Sequence, residues 1–332
     1  MLSILFLVAV LNGPIASPVP QQTTDDLGPE TLETLVDTLA TEIEQRYVFP
    51  EDAKAMGAKL RERLIAGAYE GISIPAFAAR LTEDVRSIRL DKHLHVMVAP
   101  PREANAPPPD PAAAERAAAH EARNQNYGFQ KLEILDGNVG YLDLRGFVPI
   151  EIGRDTAAGA MAFLANTDAL IIDLRWNGGG EPSMIQFLCT YFLAERTHLN
   201  SFEMRGKPEL EEYWTLDEVP GKRMVDVPLF LLTSRSTFSA AEEFAYDLRN
   251  LGRATLVGET TGGGAHPGST HPIGDVLAVF IPDGRAINPI TKTNWEGVGV
   301  EPHVAVPAAQ ALDVARREAA RVIAERASAT QR

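Results

Sequence analysis

One cysteine, Cys189, occurs in 332 residues, so no internal disulfide can form. It sits in the apolar stretch 187–192 with no evident activating neighbour, which reads as a buried core thiol rather than a nucleophile. Basic residues are scarce too. Thirty-one Lys and Arg face 45 Asp and Glu, a net charge of −14 that argues against a nucleic-acid or anionic-membrane surface. The seven histidines are scattered, and neither H-E-x-x-H nor another paired metal spacing occurs, so no metal or other cofactor is expected. Long apolar runs are also missing. The longest, residues 4–11, is too short to span a bilayer, so no stable membrane span is expected.

That run is followed by small residues and prolines, the pattern of an export signal over residues 1–17, although a basic n-region is absent. The expectation is an exported chain, periplasmic or secreted. Residues 29–98 carry Leu32, Leu35, Val36, Leu39 and Ile43 at helical spacing, with Leu60, Leu64, Phe77 and Leu81 in later helices, and read as a small helical N-terminal domain. Its end, 94–98, alternates like a strand. Residues 99–126 read as a Pro/Ala-rich linker and a short helix.

Residues 127–328 have a different rhythm. Two apolar stretches, 131–135 and 139–144, flank Asp136-Gly137-Asn138, a hairpin turn signal. Helix-like 156–166 and 183–194 bracket a buried-strand run at 169–174, and 308–327 reads as an amphipathic helix. The sharpest stretch is 229–259. It holds a strand (229–233), a small-residue turn (234–239), a helix opening at Ala240 and a second strand (254–257). Strand alternating with helix implies an α/β core with parallel pairing.

Ser239 stands at the mouth of that helix. Glu242 follows three residues later, so a plain capping box explains the pair as well as a nucleophile does. Other segments add weight to the second reading. Asp173-Leu174-Arg175-Trp176-Asn177-Gly178-Gly179-Gly180 leaves bare backbone N–H groups after a strand, a cradle for an anion or an oxyanion. No Gly-Lys-Ser/Thr follows, so it is not a phosphate-binding P-loop. Residues 258–267 form a second glycine loop, and 294–302 carry a carboxylate, Glu296, in a glycine-broken segment.

In this order, DLRWNGGG, STFSAAEEFA, GETTGGG and NWEGVGVEPH resemble the motifs of the S41 serine peptidases, which include carboxyl-terminal processing proteases, the tricorn core and interphotoreceptor retinoid-binding modules. The resemblance covers roughly 127–308. It implies a ClpP/crotonase-like α/β core of repeated ββα units beneath the helical N-terminal domain. It also implies a serine hydrolase acting on peptide or protein substrates, with Ser239 as nucleophile. The processing-protease lysine would fall at Gly264, so a Ser/Lys dyad is not expected. The tricorn-like arrangement is available instead: His93, in Asp91-Lys92-His93, as base and Glu296 as its support. His95 is the alternative base. Gly179 and Ala240 would supply the oxyanion amides. His266 and His271 are expected to face substrate or serve structure.

An imidazole base titrates near pH 6.5, so activity is expected to rise through about pH 6–7. The family's closing Pro-Asp is Pro302-His303 here, and no segment reads as a tail-recognising PDZ module. Two rival readings remain: a non-catalytic carrier of a retinoid or other apolar ligand on the same fold, and an ester or small-amide hydrolase. An intact Ser239, His93 and Glu296 favours the peptidase.

Overall fold

The computed structural model describes residues 23–27, 29–99 and 110–330. The expected export signal at 1–17, and residues 100–109 of the expected linker, lie outside the described residues. Three helices come first, α1 (Pro29–Arg46), α2 (Pro50–Ile65) and α3 (Ile74–Arg86), followed by β1 (His95–Val98) and α4 (Pro111–Asn124). The hairpin β2 (Phe129–Leu135) and β3 (Val139–Leu144) leads through α5 (Ile150–Leu164) to β4 (Ala169–Asp173) and α6 (Pro182–Thr190). A second hairpin, β5 (His198–Met204) and β6 (Glu211–Trp214), precedes β7 (Leu229–Thr233), α7 (Ala240–Asn250) and β8 (Ala254–Gly258). Then come β9 (Gly268–Ile273), β10 (Leu277–Pro282), β11 (Gly284–Ile287), β12 (Val304–Ala305) and α8 (Ala308–Thr330).

The chain forms two compact units. Of the described residues, the first comprises those up to 115 with 203–209 and 266–285; the second comprises 116–202, 210–265 and 286–330. Prolines start the helices of the first unit, where a missing N–H costs nothing, and Ser73 caps α3 by accepting from Ala76 N at 3.4 Å. The apolar stripe read from the sequence is the one that packs. Leu39, Ile43, Met56, Leu60 and Phe77 bury fully with Leu94, Val96, Ile273, Leu277, Val279 and Ile281. Each such side chain contributes about 1.5–3 kcal/mol through burial. The strand residues explain why 266–285, read as part of the later core, join this unit. β10 pairs antiparallel with both β9 and β1, in the register His95↔Phe280 and Val96↔Val279. Without that hairpin β1 would be a lone strand with an unpaired edge.

The second unit holds a six-stranded sheet in the order β12-β8-β7-β4-β3-β2. Only the β2–β3 hairpin is antiparallel; its turn uses Gly137 and Asn138 at φ 78° and 57°. The other neighbours are parallel. Every residue of β4 and β7 is buried, as their unbroken apolar runs require between two layers. Ala311, Ala315 and Ala319 of α8 recur every fourth residue and lie against Ile171, Phe230, Leu232 and Val257 of the sheet. The expected α/β class therefore holds. Among the described residues no helix is long and apolar enough to cross a membrane. In a parallel sheet of this kind, ligand chemistry belongs at the carboxyl ends of the strands. Here those ends open into the turns after β4 and β7.

Candidate active site

The turn after β4 is fixed by its own side chains. Asp173, buried, accepts from Tyr141 Oη at 2.8 Å and from the Arg175 guanidinium at 2.9 and 2.6 Å. Arg175 Nη1 donates onward to the Ala308 carbonyl at 2.6 Å. Asn177 has no exposed surface; its Nδ2 donates to Leu144 O at 3.0 Å and its Oδ1 accepts from Gly179 N at 2.9 Å. The D-x-R-x-N pattern is thus a set of clamps on the loop backbone.

The turn after β7 is sewn to it. Ser234 Oγ donates to Arg175 O at 2.6 Å and Thr237 Oγ1 donates to Leu174 O at 2.8 Å. Phe238 N donates to Asn177 O at 3.0 Å. These bonds bring Gly179 against Ser239. A methyl group added at Gly179 would stand 2.8 Å from Ser239 Cβ and 2.9 Å from Ala240 N, and Gly179 itself has φ +107°. Only glycine fits there. The predicted nucleophile and both predicted oxyanion residues accordingly share one place. In the resting protein, however, the Gly179 N–H already donates to Asn177.

The backbone of Ser239 departs from that of an ordinary cap. An ordinary N-cap sits in the β region with negative φ. Ser239 has φ +56° and ψ −125°, a conformation that costs a non-glycine residue of order 1–3 kcal/mol. Glu242 does make the reach-back half of the box, accepting from Ser239 N at 2.9 Å. It also accepts from Gly264 N at 2.8 Å, Gly263 N at 2.6 Å and Thr261 Oγ1 at 2.5 Å. The second glycine loop is therefore wrapped around this one buried carboxyl. Burial pushes the Glu242 carboxyl up, to about 7, against the pull of those four donors.

Gly264, where the dyad lysine would fall, supplies backbone only: its N–H goes to Glu242 and its carbonyl accepts from Trp295 Nε1 at 2.8 Å. Glu296 follows Trp295 and accepts from Ala265 N through Oε2 at 2.6 Å. Gly297 N donates to Gly263 O at 3.0 Å, so the Glu296 segment is bonded to the loop that holds Glu242. His303, in place of the family's aspartate, mimics a strand partner for β8: its Nδ1 accepts from Leu256 N at 3.0 Å.

His93 belongs to the first unit, in the turn before β1. Asp91 Oδ1 accepts from its N–H at 3.0 Å, and Arg86 clamps the turn by donating to the carbonyls of Asp91, Lys92 and Leu94. Its Nδ1 is shut off from solvent, and burial pushes the imidazole down to about 4, with Asp91 pulling the other way. His95 stacks on Phe280 and turns its Nδ1 to His93 O at 2.6 Å. His266 is neither solvent-facing nor idle. It is buried, with Nδ1 2.7 Å from Asp91 Oδ2, which also accepts from Tyr47 Oη at 3.0 Å. Burial pushes the Asp91 carboxyl up, but the His266 bond and charge outweigh it and hold the carboxyl below its usual value.

Comparison with known proteins places the chain in a family. Residues 138–306 match the model of peptidase family S41, and residues 29–132 match the N-terminal domain described for Peptidase_S41 in eukaryotic IRBP. The chain is 27% identical over 179 residues to carboxyl-terminal-processing peptidase 1, chloroplastic, of Arabidopsis thaliana. That alignment takes in 53% of this chain and 35% of the relative, so the chain spans about a third of that protein's length. Among solved structures, mature CPAF superposes with a TM-score of 0.58 at 12% identity, over 84% of this chain and 94% of that one. The tricorn protease gives 0.55 at 12% identity, over 89% of this chain and 37% of the other. At such identities the likeness is one of fold. The family match takes in the segments that build the two clamped turns and covers half of the chain: the chain belongs to peptidase family S41.

Proposed function

We propose that the chain is a serine peptidase working through an acyl-enzyme, with Ser239 as nucleophile, His93 as general base and Glu296 as the supporting carboxylate. The observation that carries this reading is the strained backbone of Ser239 pressed against Gly179. Strain of this kind persists where a turn must present a side chain, and a simple cap does not need it. In the reaction, Ser239 Oγ attacks the scissile carbonyl while His93 takes its proton. The oxyanion is received by the Gly179 and Ala240 N–H groups, Gly179 exchanging its bond to Asn177 as charge develops. The tetrahedral species expels the amine, which takes the proton from His93. Water then repeats the sequence on the ester. Glu296 stabilises the imidazolium, directly or through a hydroxyl.

The test is covalent labelling with a fluorophosphonate, alongside turnover of a peptide panel. Wild type should label at Ser239. Ser239→Ala should lose the label and drop turnover by roughly 10⁶-fold, with the circular dichroism spectrum unchanged. Labelling that survives in the variant would move the nucleophile elsewhere. A wild type that neither labels nor cleaves any peptide or ester, yet binds a fluorescent retinoid tightly, would make the chain a carrier.

A further inference from the structure

One bulky side chain on the clamped turn has no task in the fold. Trp176 is 66% exposed and, among the described residues, takes part in no ring contact or hydrogen bond. A single exposed apolar residue is ordinary on a protein surface. Trp176 differs because of what holds it. The residue before it, Arg175, is fixed by its ion pair with Asp173 and by Ser234 Oγ on its carbonyl. The residue after it, Asn177, is fully buried, and its carbonyl accepts from Phe238 N, the residue next to Ser239. The indole therefore stands on rigid backbone beside the nucleophile turn, with little freedom left to lose on binding.

Gly178 adds a second observation. Its φ is not in the left-handed region, and a methyl group there would meet nothing within 4 Å. Neither conformation nor packing asks for glycine at this position, yet it leaves the face between the indole and Gly179 bare. A bare backbone face next to a reacting centre is what an extended peptide needs to pass close by.

We propose that Trp176 and Gly178 form a substrate shelf, on which the peptide backbone crosses Gly178 and an aromatic or large aliphatic side chain beside the scissile bond lies on the Trp176 indole. The shelf rests on Ser239 being the nucleophile. Its energetic basis is aromatic burial, since an indole offers a large, stiff apolar surface to a matching side chain.

The experiment uses the full chain and four peptides differing only beside the scissile bond, with Phe, Leu, Ala or Asp there, scored by kcat/KM. Trp176→Ala should lower the Phe-over-Ala selectivity ratio by about 10- to 100-fold, chiefly through KM, and Trp176→Phe should restore most of it. Gly178→Ala should raise KM for all four peptides without moving the melting temperature, since the added methyl clashes only with a bound chain. Unchanged selectivity in Trp176→Ala, or an equal loss on all four peptides that Trp176→Phe does not relieve, would overturn the shelf. Fluorophosphonate labelling in parallel separates the two ideas. A labelled enzyme with unchanged selectivity refutes the shelf alone; an unlabelled wild type removes the nucleophile on which it rests.

Discussion

Replacing Gly179 by alanine tests the geometry of the site most directly, because the structure says what the new methyl group would hit. Its three nearest neighbours are Ser239 Cβ at 2.8 Å, Ala240 N at 2.9 Å and Phe238 O at 2.9 Å. None is the tip of a flexible side chain. Carbon atoms in van der Waals contact sit about 3.5–4.0 Å apart, so the two turns must separate by about 1 Å. The variant must also hold φ at +107°, which costs an L-residue of order 1–3 kcal/mol. Together these predict a stability loss of about 2–4 kcal/mol, well short of that expected to abolish folding. The functional loss should be larger in proportion. A misplacement of about 1 Å costs on the order of 10²-fold, and a lost oxyanion donor about 10²–10³.

The expected result for Gly179→Ala is a folded protein whose kcat/KM falls by about 10²–10⁴, mainly in kcat, with fluorophosphonate labelling slowed in step. Gly159→Ala is the control. Gly159 lies in α5 with open space around it, so alanine there should be neutral or stabilise by up to about 1 kcal/mol. Melting curves, peptide kinetics and labelling rates on the three proteins settle the matter. A Gly179→Ala enzyme within threefold of wild type, with an unmoved melting temperature, would refute both the turn-to-turn contact and the oxyanion assignment.

The remaining predictions concern the base and its support. Burial holds the His93 imidazole near 4, so its neutral form exists well below pH 6, and kcat/KM should fall only as pH drops through about 4–5. The unfolded chain binds that proton near 6.5. The stability supplied by burying neutral His93 is therefore fully present above about pH 6.5 and is lost as pH falls toward 4, by up to about 3 kcal/mol. Urea melts of wild type and His93→Gln at pH 7.5 and 4.5 measure this, and an acid limb at pH 6–7 would mean that the working imidazole is solvated. Glu296→Gln keeps an oxygen to accept from Ala265 N, so the loop should hold while turnover drops by about 10²–10⁴ with KM little changed. Turnover equal to wild type would leave Glu296 only the task of holding that amide.

Much of the catalytic unit could be read from the chain because its signals are local. β7 occupies the run 229–233, α7 opens at Ala240, and the Asp136-Gly137-Asn138 turn makes a hairpin, each from burial or turn chemistry within a few residues. The readings weakened where a partner lies far away. Strand β9 is mostly half-buried with no apolar alternation, and it forms because β10 offers it an edge. β5 reads His-Leu-Asn-Ser-Phe-Glu-Met, a polar run whose burial depends on its neighbours. His266 gave no sign of pairing with Asp91, 175 positions earlier. Helix α5 starts at Ile150, six residues before the expected Thr156, with Pro149 at its N-cap. The Ser239 φ angle could not be read at all. Serine tolerates it poorly, so composition predicts the opposite.

That angle is the point at which the capping and nucleophile readings stop being rivals. Glu242 was visible as the third residue of a capping box, and it does accept from the Ser239 N–H. In an ordinary box the serine hydroxyl returns the bond, and the serine backbone relaxes into the β region. Here the carboxyl takes three further donors from the 261–264 loop. Hydrogen bonds of this kind contribute roughly 0.5–1.5 kcal/mol each, enough together to offset a local strain of about 1–3 kcal/mol. The backbone is then held by the glutamate and the glycine loop. A position with the local grammar of a helix start thus becomes one that can present an oxygen for chemistry. The same loop excludes a side chain at position 263. Gly263, at φ +84° and packed on the backbone of Gly297 and Gly299, could not accept one without moving the segment that carries Glu296.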